Sequence, residues 1–291
     1  MKEEDPDRYV RLSRKKVEGD LQDYLDRMKS RGLSIRHVNI CHAYLATFFE
    51  QNGFRKEKEL EVERYHQPAR YRKRAEYIPT VQEAEEMVEN AGSPKMRAAI
   101  ACLYTSGLRN STLRALLYRD VKKELEAGLE VIRLPVYHEM KRIDPDACKN
   151  DVPYYSFISK DASRILRTYV SEVRRKLGEI DDQMPLFTGE RVDGEVTHMK
   201  ARTLQVAVHE AARKAGIKEW KSVYPHCLRK TFQSVLRSEY SDGGRMDPKD
   251  QEFLIGHILP GSQDAYYDKT KVDPELLRLK KEDLPLGDPS S

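Results

Sequence analysis

Side chains that can bind an anion or move a proton occur at three places in the second two thirds of the chain. Arg109 closes a Gly-Leu-Arg turn, and its planar guanidinium can hold a phosphate through two parallel hydrogen bonds. His226 and Arg229 are three residues apart, so they share a face if the segment is helical. His257 follows a short apolar run. Taken singly, each pattern is common among ordinary surface residues.

Lysine and tyrosine residues extend this set. Lys141 and Lys149 lie in a long polar loop between two predicted strands, from which a lysine can reach a site and donate a proton. Tyr266 and Tyr267 follow His257 by nine and ten residues. A phenol has a pKa near ~10 and attacks poorly unless a neighbour removes its proton. Adjacent side chains point in different directions, so one tyrosine can face a reacting group while the other packs.

Mostly helical elements are predicted to position these residues. Apolar residues recur at helical spacing over much of 80–239, and two β-type runs flank the polar loop. The predicted helices cover 95–104, 111–118, 163–177, 201–215 and 226–239, and the predicted strands cover 129–136 and 152–158. The predicted fold class is therefore mostly α with a small antiparallel β-sheet, which is an α+β arrangement.

The first 75 residues are predicted to form a separate helical domain. Apolar positions recur at helical spacing from Val17 to Met28, Gly32 ends that run, and a second apolar run covers 38–49. Residues 63–80 then form a polar linker. Its basic residues are Arg64, Arg70, Arg72, Lys73 and Arg74. Such a segment is either a solvated tether or a strap that neutralises phosphates.

Composition limits the classes of protein that this chain can be. A length of 291 residues suits one large domain or two smaller ones, and a net charge of +4 does not by itself indicate nucleic-acid binding. The four cysteines lack the spacing of a zinc site or a disulfide framework, so neither is expected, and a reducing compartment fits better. The charged N-terminus has no apolar signal region and no apolar stretch could span a bilayer, so we expect a soluble cytoplasmic protein.

The order and spacing of these motifs are more specific than any one of them. The series is GLR, a lysine in a hairpin, HCLRKTF, LIGH and a tyrosine about ten residues later. It resembles the tyrosine recombinase (phage integrase) family over residues 77–268. The segments that look most like archaeal virus and plasmid integrases are FISKDA at 157–162 and GHILPGSQDAYYD at 256–268.

The resemblance implies a role for each of these side chains. The residues that would carry the catalysis are Arg109, Lys141, His226, Arg229, His257 and Tyr266. Lys149 stays the alternative to Lys141, because the loop is longer than usual for the family. Tyr267 stays the alternative to Tyr266, because family members show both spacings from the histidine.

The resemblance also implies a reaction and partners. Residues 1–75 would be a helical core-binding domain that clamps DNA, and residues 76–291 the catalytic domain. The enzyme would be a site-specific DNA recombinase that cleaves and rejoins strands through a 3′-phosphotyrosine intermediate and integrates or excises a mobile element. It would act without a cofactor, as a homotetramer on double-stranded DNA with a specific attachment site, and be monomeric when free. The basic linker residues and Lys149 would contact DNA, in the cytoplasm of a prokaryotic, archaeal cell.

Two other functions use the same residues. One is relaxation of DNA by an enzyme of the type IB topoisomerase kind, which would not depend on a defined sequence. The other is a non-catalytic DNA-binding protein on the same scaffold. Every catalytic residue type of the family has a candidate in this chain, which favours an active enzyme over the second possibility.

Overall fold

The computed structural model describes residues 13–54, 60–67, 76–239 and 244–257. The chain divides into two compact units, Met1–Ala75 and Glu76–Ser291. The helices are α1 (Arg14–Ser30), α2 (Ile35–Phe49), α3 (Val81–Glu89), α4 (Pro94–Ser106), α5 (Asn110–Ala115), α6 (Arg119–Glu126), α7 (Lys160–Leu177), α8 (Ala201–Lys214), α9 (Pro225–Val235) and α10 (Pro248–Leu254). The strands are β1 (Ile132–Val136), β2 (Tyr154–Ile158), β3 (Thr188–Val192) and β4 (Glu195–His198). They form two antiparallel hairpins, β1–β2 and β3–β4.

The first unit is built on α1 and α2, and residues 60–67 are hydrogen-bonded to both helices. Residues 60–67 are neither helix nor strand. The side chains of Glu18 and Gln22 accept hydrogen bonds from backbone N–H groups of this segment, at 3.0 and 2.9 Å. Asn39 bonds both backbone groups of Tyr65. The start of the basic linker is therefore docked on its own unit, with the side chain of Arg64 exposed.

The second unit is organised around α4, which is buried from Ala98 to Ser106. Ser93 caps its start, Pro94 occupies the first turn, and Gly107 ends it in the left-handed conformation. Helices α3, α7, α8 and α9 and strand β2 all pack against it. Because neighbours cover the helix on every side, its C-terminal end is a fixed platform for the turn that follows.

The β1–β2 hairpin is attached to the same end of α4. Its register pairs Ile132 with Ile158 and Val136 with Tyr154. The hydroxyl of Ser156 donates to the carbonyl of Ser106 at 2.6 Å, which joins β2 to the end of the central helix. Both strands were predicted, but β1 begins three residues and β2 two residues later than the sequence pattern indicates.

Helix α5 is shorter than the predicted helix 111–118. The backbone becomes extended at Leu116, whose carbonyl accepts from Leu186 N–H at 2.9 Å, and Tyr118 N–H donates to Met184 at 2.8 Å. This pairing with residues 184–186 replaces the last helical turn. The sequence pattern also does not indicate β3–β4, which has no buried residue and no apolar alternation, or the short helix α10.

We expect replacement of Gly107 by alanine to destabilise the protein by about 2–4 kcal/mol. Gly107 has φ +63°, and a Cβ there would lie 2.1 Å from the ring of Phe232, which is fully buried and cannot retreat. Gly128→Ala is the matched control, because Gly128 has φ +76° with open space around it, so it should lose only about 1 kcal/mol. Urea unfolding measures both losses, and equal losses would show that the contact with Phe232 imposes no constraint.

Candidate active site

Arg229 joins three segments of the second unit. Its side chain lies on α9 and is only 2% exposed. Nη1 donates to the carbonyl of Gly107 at 2.5 Å, and Nη2 donates to the carbonyl of Ile255. One carbonyl belongs to the turn before Arg109 and the other to the turn before His257. A single buried guanidinium therefore fixes the relative positions of three of the sequence motifs.

Both turns depend on a glycine. Gly107 and Gly256 have φ values of +63° and +61°, which favour glycine. A Cβ at Gly256 would lie 2.2 Å from the ring of Tyr154, just as one at Gly107 would meet Phe232. The close approach of an aromatic ring leaves each turn no room to shift, so the backbone positions from which the following side chains project are fixed.

Arg109 follows the first of these turns, at the position that precedes α5. Its side chain is partly buried, and its Nη1 atom is fully buried with no hydrogen-bond partner among the described residues. A buried guanidinium nitrogen without a partner loses solvation with no compensation. An anion with oxygen acceptors is the ligand that would satisfy it.

A cleft of about 460 Å³ lies in front of Arg109. Its lining includes Arg109, His226, Arg229 and Lys149, together with Asp144. The structure thus brings together cationic and imidazole groups that are up to 120 residues apart in the chain, which is the interval from Arg109 to Arg229. Such a concentration of positive charge suits a phosphate.

The two candidate lysines have different surroundings. Lys149 is exposed and lines the cleft. Lys141 is not among the lining residues, and its Nζ lies 2.6 Å from a carboxylate oxygen of Asp151. That lysine holds the pKa of the Asp151 carboxyl below its usual value through their hydrogen bond. Lys141 is therefore engaged within the loop, and Lys149 is the lysine beside Arg109.

Helix α5 holds the loop that carries Lys149. The hydroxyls of Ser111 and Thr112 donate to the carbonyls of Asp146 and Ala147 at 3.0 and 2.5 Å. Arg114 forms an ion pair with Asp144, and both side chains are mostly buried. Because α5 starts next to Arg109, one short helix positions both the arginine and the lysine loop.

The two histidines are both shifted towards the neutral form. Partial burial lowers the pKa of His226, and the charges of Lys230 and Arg229 lower it further, although the side chain keeps exposed surface. Burial also lowers the pKa of His257, and its hydrogen bond to Glu252 opposes that shift. Burial lowers the pKa of Arg229 to about 10, so this guanidinium stays charged at neutral pH. The cleft at neutral pH therefore contains arginine cations and the imidazole of His226, which can accept a proton, whereas His257 is not among the residues that line it.

Polar contacts join the start of α9 to Glu76, the first residue of the second unit. Glu76 accepts a hydrogen bond from the hydroxyl of Tyr224 at 2.6 Å and forms an ion pair with Lys230. Lys230 lies one turn beyond His226 on the same helix. Sequence reasoning missed Glu76, as it missed Glu252 and Tyr154, because nothing in the spacing of these residues relates them to the motifs that they contact.

Several predicted site residues lie outside the described residues. These are Arg70, Arg72, Lys73, Arg74, Tyr266 and Tyr267. Within the described part of the chain, no group of three or more histidine, cysteine, aspartate or glutamate residues could hold a metal ion. In the same part, every helix is too short or too polar to cross a membrane.

We expect Arg229→Lys to lower the free energy of unfolding by about 2–4 kcal/mol, because lysine leaves a buried carbonyl unpaired. Arg109→Lys is the matched comparison, since it also keeps the charge but removes no hydrogen bond from Nη1, and it should change stability by less than about 0.5 kcal/mol. Urea unfolding of both variants measures the difference. Similar losses in the two proteins would contradict the cross-linking role of Arg229.

Comparison with known proteins places this site in a known fold. XerH site-specific recombinase bound to a palindromic difH substrate is 17% identical, with a TM-score of 0.56 over 93% of this chain and 72% of that chain. The Tn1549 transposon integrase in complex with circular intermediate DNA is 19% identical, with a TM-score of 0.52 over 91% and 86%. A lambda integrase dimer bound to a COC′ core site is 14% identical, with a TM-score of 0.52 over 91% and 82%.

These similarities are in three-dimensional structure and not in sequence. No protein-family model matches the sequence, and no curated protein matches it. The named structures do not support the expected likeness to archaeal virus and plasmid integrases, which stays a prediction. The predicted fold class is confirmed, because the mostly helical chain with two small antiparallel hairpins has the fold of the tyrosine recombinases.

Proposed function

We propose that the protein is a site-specific DNA recombinase that cleaves and rejoins strands through a 3′-phosphotyrosine intermediate. The observation that carries this proposal is the cleft in which the unpartnered Nη1 of Arg109 lies with Arg229, His226 and Lys149. The names of the structural neighbours, which are recombinases and integrases described in complexes with DNA, support the same reading.

The two arginines would stabilise the scissile phosphate. Negative charge on the non-bridging oxygens grows in the transition state, and fixed donors stabilise it without reorganising. Arg229 uses two of its five N–H groups on backbone carbonyls, which leaves donors for a phosphate. Arg109 has a free buried nitrogen. Loss of one such donor costs on the order of 3 kcal/mol in the transition state, a hundredfold or more in rate.

Proton transfer would be divided between His226 and Lys149. His226 is shifted towards the neutral form, so it can take the proton of the attacking phenol. The leaving 5′-oxygen needs a proton, and we assign its donor as Lys149 rather than Lys141. Lys149 lines the cleft, whereas Lys141 is paired with Asp151.

A tyrosine nucleophile would conserve the energy of the broken bond. The phenol oxygen forms a bond to phosphorus as the 5′-oxygen leaves, so one phosphoester replaces another and religation needs no ATP. We assign the nucleophile as Tyr266, which has the shorter spacing from His257, with Tyr267 as the alternative.

The rest of the chain would serve DNA binding and assembly. Residues 1–75 would clamp double-stranded DNA, with Arg64 and the other basic linker residues against the backbone. We further propose that the protein is a monomer when free and assembles as a homotetramer on a specific attachment site. It would integrate or excise a mobile element in the cytoplasm of an archaeal cell.

We expect wild-type protein to form a covalent adduct with a nicked duplex that carries its attachment site, selected from a random pool if the site is unknown. Tyr266→Phe should abolish the adduct, because it removes the attacking oxygen and little else. Tyr267→Phe is the matched control and should retain it. A denaturing gel measures the adduct in all three proteins.

The pattern of adducts decides between the functions. Loss with Tyr267→Phe alone would move the nucleophile to Tyr267. Absence of an adduct on any DNA that the wild type binds would contradict the recombinase proposal and leave a DNA-binding scaffold. Adducts on all sequences equally would favour relaxation of the topoisomerase kind.

We expect Lys149→Ala to reduce strand cleavage by about 10²–10⁴-fold, the usual contribution of a positioned acid. Lys141→Ala is the control and should retain most activity. A substrate with sulphur in place of the bridging 5′-oxygen should restore cleavage by Lys149→Ala, because a thiol has a pKa of about 8.5 and leaves without protonation. Cleavage rates on both substrates measure this, and rescue of Lys141→Ala instead would reverse the assignment.

A further inference from the structure

Glu252 has no role in the reaction as described above, yet it contacts one of the site histidines. It lies in α10, and its Oε2 is 2.6 Å from Nδ1 of His257. The backbone N–H of His257 also donates to the carbonyl of Glu252 at 3.0 Å. An ionised carboxylate only accepts hydrogen bonds, so Nδ1 carries the hydrogen in this contact.

A hydrogen on Nδ1 decides what the other ring nitrogen can do. A neutral imidazole has one N–H, so Nε2 of His257 is then an acceptor and repels a phosphate oxygen. Only the charged ring can donate from Nε2. Because burial and the arginine charges lower the pKa of His257, the free protein favours the neutral ring at neutral pH.

Charged side chains on three elements set the electrostatic potential at His257. The charged groups that act on the ring are Glu252 on α10, Arg229 on α9 and Arg109 at the start of α5. The carboxylate raises the pKa and both guanidinium groups lower it. A phosphodiester bound by the two arginines would bring a negative charge that offsets them, and the ring would then bind a proton more tightly.

We propose that Glu252 is a positioning residue that makes His257 a proton-coupled phosphate ligand, an inference that rests on the proposed function. When the phosphodiester binds, the ring takes one proton from solvent and forms the Nε2–H bond. The imidazolium then donates from Nδ1 to Glu252 and from Nε2 to a non-bridging phosphate oxygen. His226 has no side-chain hydrogen bond to another described residue, so the two histidines are not equivalent.

The first experiment uses the free full-length protein and tests only the orientation of the ring. We expect ¹⁵N spectra of the histidine side chains to show neutral His257 with hydrogen on Nδ1. Glu252→Gln should lower the pKa of His257 and mix the two tautomers. Glu210→Gln, which removes an exposed carboxylate paired with Arg213 on α8, is the matched control and should change neither. Hydrogen on Nε2 in the wild type, or an unchanged pKa in Glu252→Gln, would overturn the inference.

The second experiment adds a DNA duplex that the protein binds. The pKa of His257 should rise on binding in the wild type and rise less in Glu252→Gln, whose cleavage rate should fall about tenfold or more, with the largest deficit at high pH. Bound DNA that leaves the pKa unchanged contradicts the proton coupling even if the adduct forms. Failure to bind any duplex overturns both the coupling and the proposed function, and the tautomer in the free protein still shows whether Glu252 orients the ring.

Discussion

The buried guanidinium of Arg229 is the interaction on which the rest of the site depends. A buried charge is costly unless it is hydrogen-bonded, and here two backbone carbonyls accept hydrogen bonds from two of the five N–H groups of the guanidinium. Those carbonyls belong to the Gly107 and Gly256 turns, which aromatic rings hold from the other side. Neither turn can move without leaving the guanidinium or a carbonyl unpaired, so the geometry around Arg109 and His257 follows from one side chain.

The sequence predicts which chemical groups form this site better than it predicts the contacts that hold them in place. The types and order of Arg109, His226 and Arg229 point to an anion site, and the structure places all three at one cleft. Spacing cannot show that Arg229 is also a cross-link, because the carbonyls that it contacts carry no sequence signal. The choice between Lys141 and Lys149 likewise depends on how side chains of α5 hold the loop, which is a tertiary contact 35 residues away in the chain.

The fold shows the same division between local pattern and tertiary contact. Strongly periodic segments such as α7 and α8 are predicted well, because amphipathic spacing reflects burial directly, whereas α9 ends at Val235, four residues before its predicted end. Helix α5 is mispredicted at its end, since Leu116 and Leu117 are apolar and well spaced for a helix but pair with residues 184–186 instead. A residue's neighbours across the fold override its local preference, and such neighbours cannot be read from one segment.

The electrostatics of the site favour a bound anion over the free state. Burial lowers the pKa of Arg229 and the charge of Arg109 adds to that shift, while burial and both guanidinium groups lower the pKa of His257, so positive charges oppose one another at this site. The unpartnered Nη1 of Arg109 adds a further cost to the free protein. A phosphodiester would remove both costs at once, because its oxygens accept from the arginines and its charge offsets theirs. If the proposed function holds, the free energy that this repulsion costs the free protein would be recovered when the phosphodiester binds, and such a preorganised site would favour a charged transition state over water.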